Sequence, residues 1–193
     1  VQANQSLRAL VLTGAGRAFC AGADLSEFDF NDGPDLMHRA DPGPVIDEAF
    51  NPTTRRLIGV RVPTVCDVNG VAAGAGASVA MACDITIAAP GASFIQAFTK
   101  IGLVPDSGGT WLLPRLVGEA RARALMFLGE PVKAEQAEAW GLIWKAVDDA
   151  ALMAEAEALT AHLATQPTFG LALTKALLNQ SSTSTLDHQL DLE

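Results

Sequence analysis

The sequence predicts an α/β fold in which a parallel sheet is layered with helices. Apolar runs of strand length alternate with segments of helical period from Leu7 to Trp140. Two of those runs, Leu7–Leu12 and Val62–Val68, lead into corners made almost wholly of Gly and Ala. From Asp148 the pattern becomes wholly helical, with Leu152, Ala156, Leu159 and Leu163 on one face. Strand–helix alternation places helices over a parallel sheet, because each parallel connection must cross the sheet face. The chain therefore divides into a core over 1–147 and a helical region over 148–193.

The elements follow in order. Leu7–Leu12 is a buried-type strand, and the Gly-rich turn after it runs to residue 23. Residues 24–54 carry Asp24, Asp29, Asn31, Asp32, Gly33, Pro34, Asp41, Pro42, Gly43 and Pro44, which break any period, so the segment reads as a lid or an interrupted helix. Val45–Val60 has helical spacing and is closed by Pro63. Strand Val62–Val68, helix Ala75–Ala82, strand Ile85–Ala89 and a short strand at Ser93–Ile95 come next. A loop holding Asp106 leads into a helix beginning near Gly108 and interrupted by Pro114. Gly118–Leu128 and Ala134–Trp140 are helical and Ile143–Val147 is a strand. Beyond the helix of the Leu152 stripe, Pro167 starts another that runs through Leu178.

Composition bounds the function. With 193 residues, 49% of them hydrophobic, the chain can bury a substantial single core. A net charge of −9 argues against nucleic acid or an anionic membrane surface as partner. No apolar run is long enough to span a bilayer, and no targeting leader is visible at Val1. Cys20, Cys66 and Cys83 are odd in number, lie in apolar settings and lack metal-like spacing, so they read as reduced core thiols of a cytoplasmic protein with no metal site.

The most informative stretch is Gly70-Val-Ala-Ala-Gly-Ala-Gly-Ala-Ser78. A strand, a tight turn and a helix start stripped of side chains let a ligand touch backbone, and the first N–H groups of a helix favour negative charge. A dinucleotide site would want G-x-G-x-x-G, but position 79 is Val. A P-loop would want Gly-Lys-Ser/Thr, and no lysine lies between Arg61 and Lys100. Two readings stay open: an oxyanion site, needing only two N–H donors, or close packing of a helix on a sheet.

The stretch Leu10–Leu25 supplies a second corner of the same kind, Phe19-Cys-Ala-Gly-Ala-Asp-Leu25. Together with Val68-Asn-Gly-Val-Ala-Ala-Gly-Ala-Gly-Ala77, Cys83-Asp-Ile-Thr-Ile-Ala-Ala89, Gly102–Thr110 and Ala134–Ile143, it resembles the enoyl-CoA hydratase/isomerase (crotonase) superfamily over nearly the whole chain. The resemblance implies a crotonase-type spiral of ββα units with a helical C-terminal region. It implies an acyl-CoA substrate, no separate cofactor, and a homotrimer or homohexamer. Family members carry a strand pair before the region of Leu7 and helices after Glu193, so it also implies a chain truncated at both ends.

By the same resemblance the backbone N–H groups of Ala23 and Ala75 form the oxyanion hole, and Gly22, Asp24, Leu25, Gly74, Gly76 and Phe98 contact the acyl-CoA. Hydratases of the family use two glutamates, where this chain has Ser78 and Phe98. A hydroxyl without a partner base is a poor proton acceptor and a phenyl ring is none, so hydration is disfavoured. Asp106 stands where the family's isomerases carry a lone carboxylate, and one carboxylate suffices to move a proton between two carbons. Its competing role is to N-cap the helix near Gly108. Hydrogen bonds at a cap would lower its pKa, while Val104, Trp111 and Phe98 would raise it.

Ile101–Arg115 and His162–Gly170 most resemble the family branch that converts ring-1,2-epoxyphenylacetyl-CoA to oxepin-CoA. A 3-enoyl-CoA to 2-enoyl-CoA isomerase, and a non-catalytic acyl-CoA- or RNA-binding relative, are the alternatives. His38, His162 and His188 read as surface residues. Ser107 lacks the leading glycine of a nucleophile elbow. Arg17 is a candidate for a CoA phosphate or a plain surface arginine, and Ser26 replaces the family's phosphate-binding lysine.

Overall fold

The computed structural model describes residues 4–28 and 41–193. Eight strands form two sheets among the described residues. They are β1 Leu10–Thr13, β2 Ala18–Cys20, β3 Thr64–Val68, β4 Val71–Ala73, β5 Ile85–Ala88, β6 Ser93–Ile95, β7 Val132–Lys133 and β8 Lys145–Ala146. One sheet has the order β1-β3-β5-β8, all parallel, and the other β2-β4-β6-β7, with β7 antiparallel to β6.

From β1 to β6 successive strands alternate between the sheets, so each winding there adds one strand to both; β7 then pairs with β6 in the same sheet and β8 returns to the first. This is the ββα spiral that the resemblance implied, in place of the single layered sheet that periodicity suggests. Strands β2, β4 and β7 escape a reading by period because they are two or three residues long, and β4 lies inside the Ala/Gly run. Strand β1 starts at Leu10 rather than Leu7, where the Leu10 N–H first meets the Pro63 carbonyl at 3.0 Å. Strand β8 is likewise shorter than Ile143–Val147, although Trp144 and Val147 still donate to Thr86 and Ala88. Every residue of β3 is buried, as expected for a central parallel strand covered on both faces.

Helix α1, Asn51–Gly59, follows a helical lead-in of Gly43–Val45 and a π-turn at Ile46–Phe50. Residues 29–40 of the 24–54 lid or interrupted helix, His38 among them, lie outside the described residues, while 43–54 is helical. Helix α2 is Ala75–Met81 and α3 is Gly109–Val117. Pro114 does not interrupt α3 as the sequence suggested. A proline forfeits one i→i−4 bond, here to Thr110, which is exposed and can be hydrated. Helices α4 Glu119–Leu128, α5 Ala134–Ala139, α6 Leu152–Thr165, α7 Thr168–Ser181 and α8 Leu186–Leu192 complete the chain.

Helix α6 packs on β1, β3 and β5, while α2 packs on β2, β4 and α3. The core between them is aliphatic, from Val65, Val68 and Ile87 to Leu113 and Ala156. Lys175 of α7 fastens the helical region to it. Its ammonium lies 2.7 Å from the Asp84 carboxylate and donates to the carbonyls of Leu57, Val60 and Val62 at 3.4, 3.2 and 3.3 Å. Asp84 in turn accepts from the N–H and hydroxyl of Thr64 at 2.7 and 2.9 Å. A cation is thereby set at the C-terminal end of α1, where the helix dipole favours one.

Candidate active site

The two small-residue corners meet in space. One follows β2 at Ala21-Gly22-Ala23, and the other joins β4 to α2 at Gly74. Gly76 lies against the backbone of Cys20, where an added methyl group would collide with the carbonyl oxygen and come within 2.7 Å of its carbon. A methyl on Gly22, whose φ is +91°, would sit 3.2 Å from the Ala75 nitrogen. Side-chain-free residues are thus what allow the corners to touch. Gly74, at φ 53°, is fixed by donating to the Ile95 carbonyl at 2.9 Å. Ala75 is the first residue of α2, so its N–H has no intrahelical acceptor. Among the described residues neither Ala23 nor Ala75 donates its N–H to the protein.

A cavity of about 160 Å³ opens at this junction. Gly22, Ala23, Leu25, Gly74, Ala75 and Phe98 line it, with Phe28, Ile101 and Leu103 as further apolar wall and Lys100 as the charged residue. Asp24 and Gly76 lie outside the wall. The Asp24 carboxylate caps the short turn Leu25–Glu27, accepting from the Ser26 N–H and hydroxyl at 2.9 and 2.7 Å, and these bonds lower its pKa. Gly76 is buried against Cys20.

Asp106 stands three residues beyond the wall at Leu103. It is not the helix cap: Gly108, at φ 80°, caps α3 without a side-chain bond. The Asp106 carbonyl accepts from the Gly109 N–H at 2.8 Å and from the Ser78 hydroxyl at 3.1 Å. Its carboxylate accepts from the Ser107 hydroxyl at 2.9 Å. Burial raises the Asp106 pKa above its ordinary value, and the Ser107 bond only partly opposes this. Val104 and Trp111 are no part of that burial, both being exposed, whereas Phe98 is buried.

Sequence reasoning missed how this loop is held. Ser78 is fully buried and ties the loop to α2. Thr54 of α1 donates to the Ser107 carbonyl at 3.1 Å. Gln96 is buried with its Oε1 unpartnered, close to where a methyl on Gly109 would stand. Only the Ser107-Gly108-Gly109 run hinted at an unusual backbone. The remaining candidates sit apart: His162, His188 and Arg17 are exposed, and the three cysteines are free thiols. Among the described residues no cluster of three His, Cys, Asp or Glu could hold a metal, and no helix is long and apolar enough to cross a membrane.

The touching corners leave two backbone N–H groups without a protein acceptor beside an apolar cavity, and the half-buried Asp106 lies three residues along the chain from the cavity wall. The family model for enoyl-CoA hydratase/isomerase matches residues 1–193, and the chain belongs to that family. It is 53% identical, over its whole length and 72% of the relative's, to a 1,2-epoxyphenylacetyl-CoA isomerase of Escherichia coli. It is 34% identical, with the same coverages, to a short-chain-enoyl-CoA hydratase of Clostridium acetobutylicum. The crystal structure of an enoyl-CoA hydratase from Bacillus anthracis superposes with a TM-score of 0.88 at 30% identity, covering all of this chain and 72% of that one.

Proposed function

We propose that this protein isomerises an acyl-CoA thioester, with Asp106 as the acid–base group and the N–H groups of Ala23 and Ala75 as the oxyanion hole. The observation that carries the reading is the division of labour at the family's acid–base positions. Ser78 spends its hydroxyl on the Asp106 carbonyl and Phe98 is cavity wall, which leaves Asp106 as the base. The Asp106 carboxylate takes a proton from the carbon next to the thioester carbonyl. The enolate oxygen is held by the two backbone donors, and the proton returns to a more distant carbon. The proton count balances, so no co-reactant is required. An oxyanion donor is worth about 3–4 kcal/mol in such a step and a general base about 10²–10⁴ in rate.

The substrate we assign is ring-1,2-epoxyphenylacetyl-CoA, giving oxepin-CoA. This is supported by the 53% identity to a relative of that name and by the mostly apolar cavity wall. Ring expansion breaks the carbon–carbon bond shared by the epoxide and the six-membered ring, its electron pair going into the new ring double bonds. Asp106 meanwhile moves the proton from the α carbon to a ring carbon. A 3-enoyl-CoA needs the proton shift alone and is the second substrate to test. The exposed apolar side chains Phe169, Leu186 and Leu190 on α7 and α8 support a homo-oligomer, which sedimentation of the full-length protein tests.

The deciding experiment is turnover of both thioesters, with products identified by mass spectrometry, by the parent enzyme and by Asp106→Asn. The variant should lose 10²–10⁴-fold in kcat and keep its affinity for the thioester. Hydration of crotonyl-CoA should be negligible beside isomerisation. Normal turnover by Asp106→Asn, or hydration as fast as isomerisation, would overturn the assignment.

A further inference from the structure

Ser107 is the one non-glycine residue among those described with a positive φ, 52°. L-residues seldom adopt that backbone, and Gly108 and Gly109 beside it would suit the turn better. Yet position 107 carries a serine that is 2% exposed. Its carbonyl is pinned by the Thr54 hydroxyl at 3.1 Å, from α1. The preceding carbonyl, of Asp106, is pinned by Ser78 of α2 at 3.1 Å and by the Gly109 N–H at 2.8 Å. The turn is therefore held from three elements in a conformation that sends the Ser107 hydroxyl to Oδ1 of Asp106 at 2.9 Å. Among the described residues this is the only side-chain donor to that carboxylate.

We propose that Ser107 is a positioning residue for the reaction: its hydroxyl fixes Oδ1 of Asp106 and leaves Oδ2 as the atom that takes and returns the substrate proton. The inference rests on the assignment of Asp106 as the base. An unrestrained carboxylate rotates about its last torsion and presents either oxygen in either direction, whereas a carboxylate held by one oxygen presents the other in a fixed direction. The same bond stabilises the ionised form, so it opposes the rise in pKa that burial causes. Among the described residues no charged side chain contributes to that balance. The groups around the loop are the hydroxyls of Ser78 and Thr54, the amide of Gln96, and apolar Pro105 and Leu112.

The test uses the full-length protein with Ser107→Gly, Ser107→Ala and Asp106→Asn. Glycine accepts the positive φ, so Ser107→Gly removes the hydroxyl without demanding a new backbone and stays informative if Ser107→Ala folds poorly. The readouts are the pH dependence of kcat/KM and the titration of the Asp106 carboxyl by ¹³C NMR, assigned by its absence in Asp106→Asn. Losing one donor to the carboxylate should move both the acid limb and the carboxyl titration up by about one pH unit. The loss of orientation should lower plateau kcat by about tenfold, with KM unchanged. A folded Ser107→Gly enzyme whose acid limb and Asp106 titration match the parent, while Asp106→Asn is inactive, overturns this inference alone. An active Asp106→Asn enzyme removes the assigned base and overturns both.

Discussion

Gly76→Ala puts a methyl group into the contact between the two corners. The added carbon would lie 2.7 and 2.8 Å from the carbonyl carbon and Cβ of Cys20, and closer still to the carbonyl oxygen. Carbon pairs rest at about 3.5–4.0 Å, so the start of α2 must retreat from β2 by about 1 Å. The neighbour is backbone of the edge strand β2, which cannot turn aside as a side chain would, and such overpacking costs about 1–3 kcal/mol of stability. The functional effect should be larger, because Ala75 precedes Gly76 and moves with it. A displacement of about 1 Å at a reacting centre can cost on the order of 10²-fold, and loss of one oxyanion donor about 10²–10³-fold. We therefore expect kcat for isomerisation to fall about 10²-fold or more, with a smaller change in KM. Initial rates should be measured beside a urea titration, so that loss of folded protein is not mistaken for loss of rate. Gly91→Ala, where the methyl meets nothing within 4 Å, is the control and should match the parent. A folded Gly76→Ala enzyme within threefold of parental kcat would refute the claim that this contact sets the donor pair.

Asp106→Asn should also change stability. Burial raises the native pKa above the ordinary 3.8, so native Asp106 keeps its proton longer than the unfolded chain does. Stability is therefore lost as pH rises through that window, and asparagine abolishes the loss. The variant should be slightly more stable at pH 7, by under about 1 kcal/mol since the group is half-open to solvent, with no gain near pH 3; a lower urea midpoint at pH 7 would contradict this. Lys175→Met leaves Asp84 without its ion pair and three carbonyls without their donor, and should cost about 3 kcal/mol in urea denaturation. An unchanged midpoint would show the clamp to be idle. In native thiol labelling followed by mass spectrometry, Cys66 should react last, because burial both shields it and raises its pKa; Cys20 and Cys83 are partly open.

The sequence made the longer elements legible and hid the short ones. Val62–Val68 and the Leu152 stripe carry enough apolar period to be read directly, whereas Ala18–Cys20 and Val132–Lys133 are too short to show any. The two-sheet spiral came from ordered motifs, since period says nothing about which sheet a strand joins. At the site, the Gly/Ala composition announced exposed backbone, but not that Gly76 would stand against Cys20. Asp106 was visible as a carboxylate with two possible uses. Gly108 took the cap because its left-handed backbone can start α3 directly, and that freed the side chain. The bonds from Ser78 and Thr54 join α2 and α1 to the Asp106 loop across 28 and 53 positions of chain, and no local pattern encodes such pairings.

The contact of Gly76 with Cys20 works as a gauge block. The distance between the two backbone donors is set by atoms already touching, not by a bond that can titrate or be screened. Packed interiors compress little. The opening between the corners should therefore keep one width across pH, ionic strength and moderate heating. On the proposed function, changes of rate with acidity then belong to the carboxylate, and the donor pair assigned to the thioester oxygen behaves as a fixed tool.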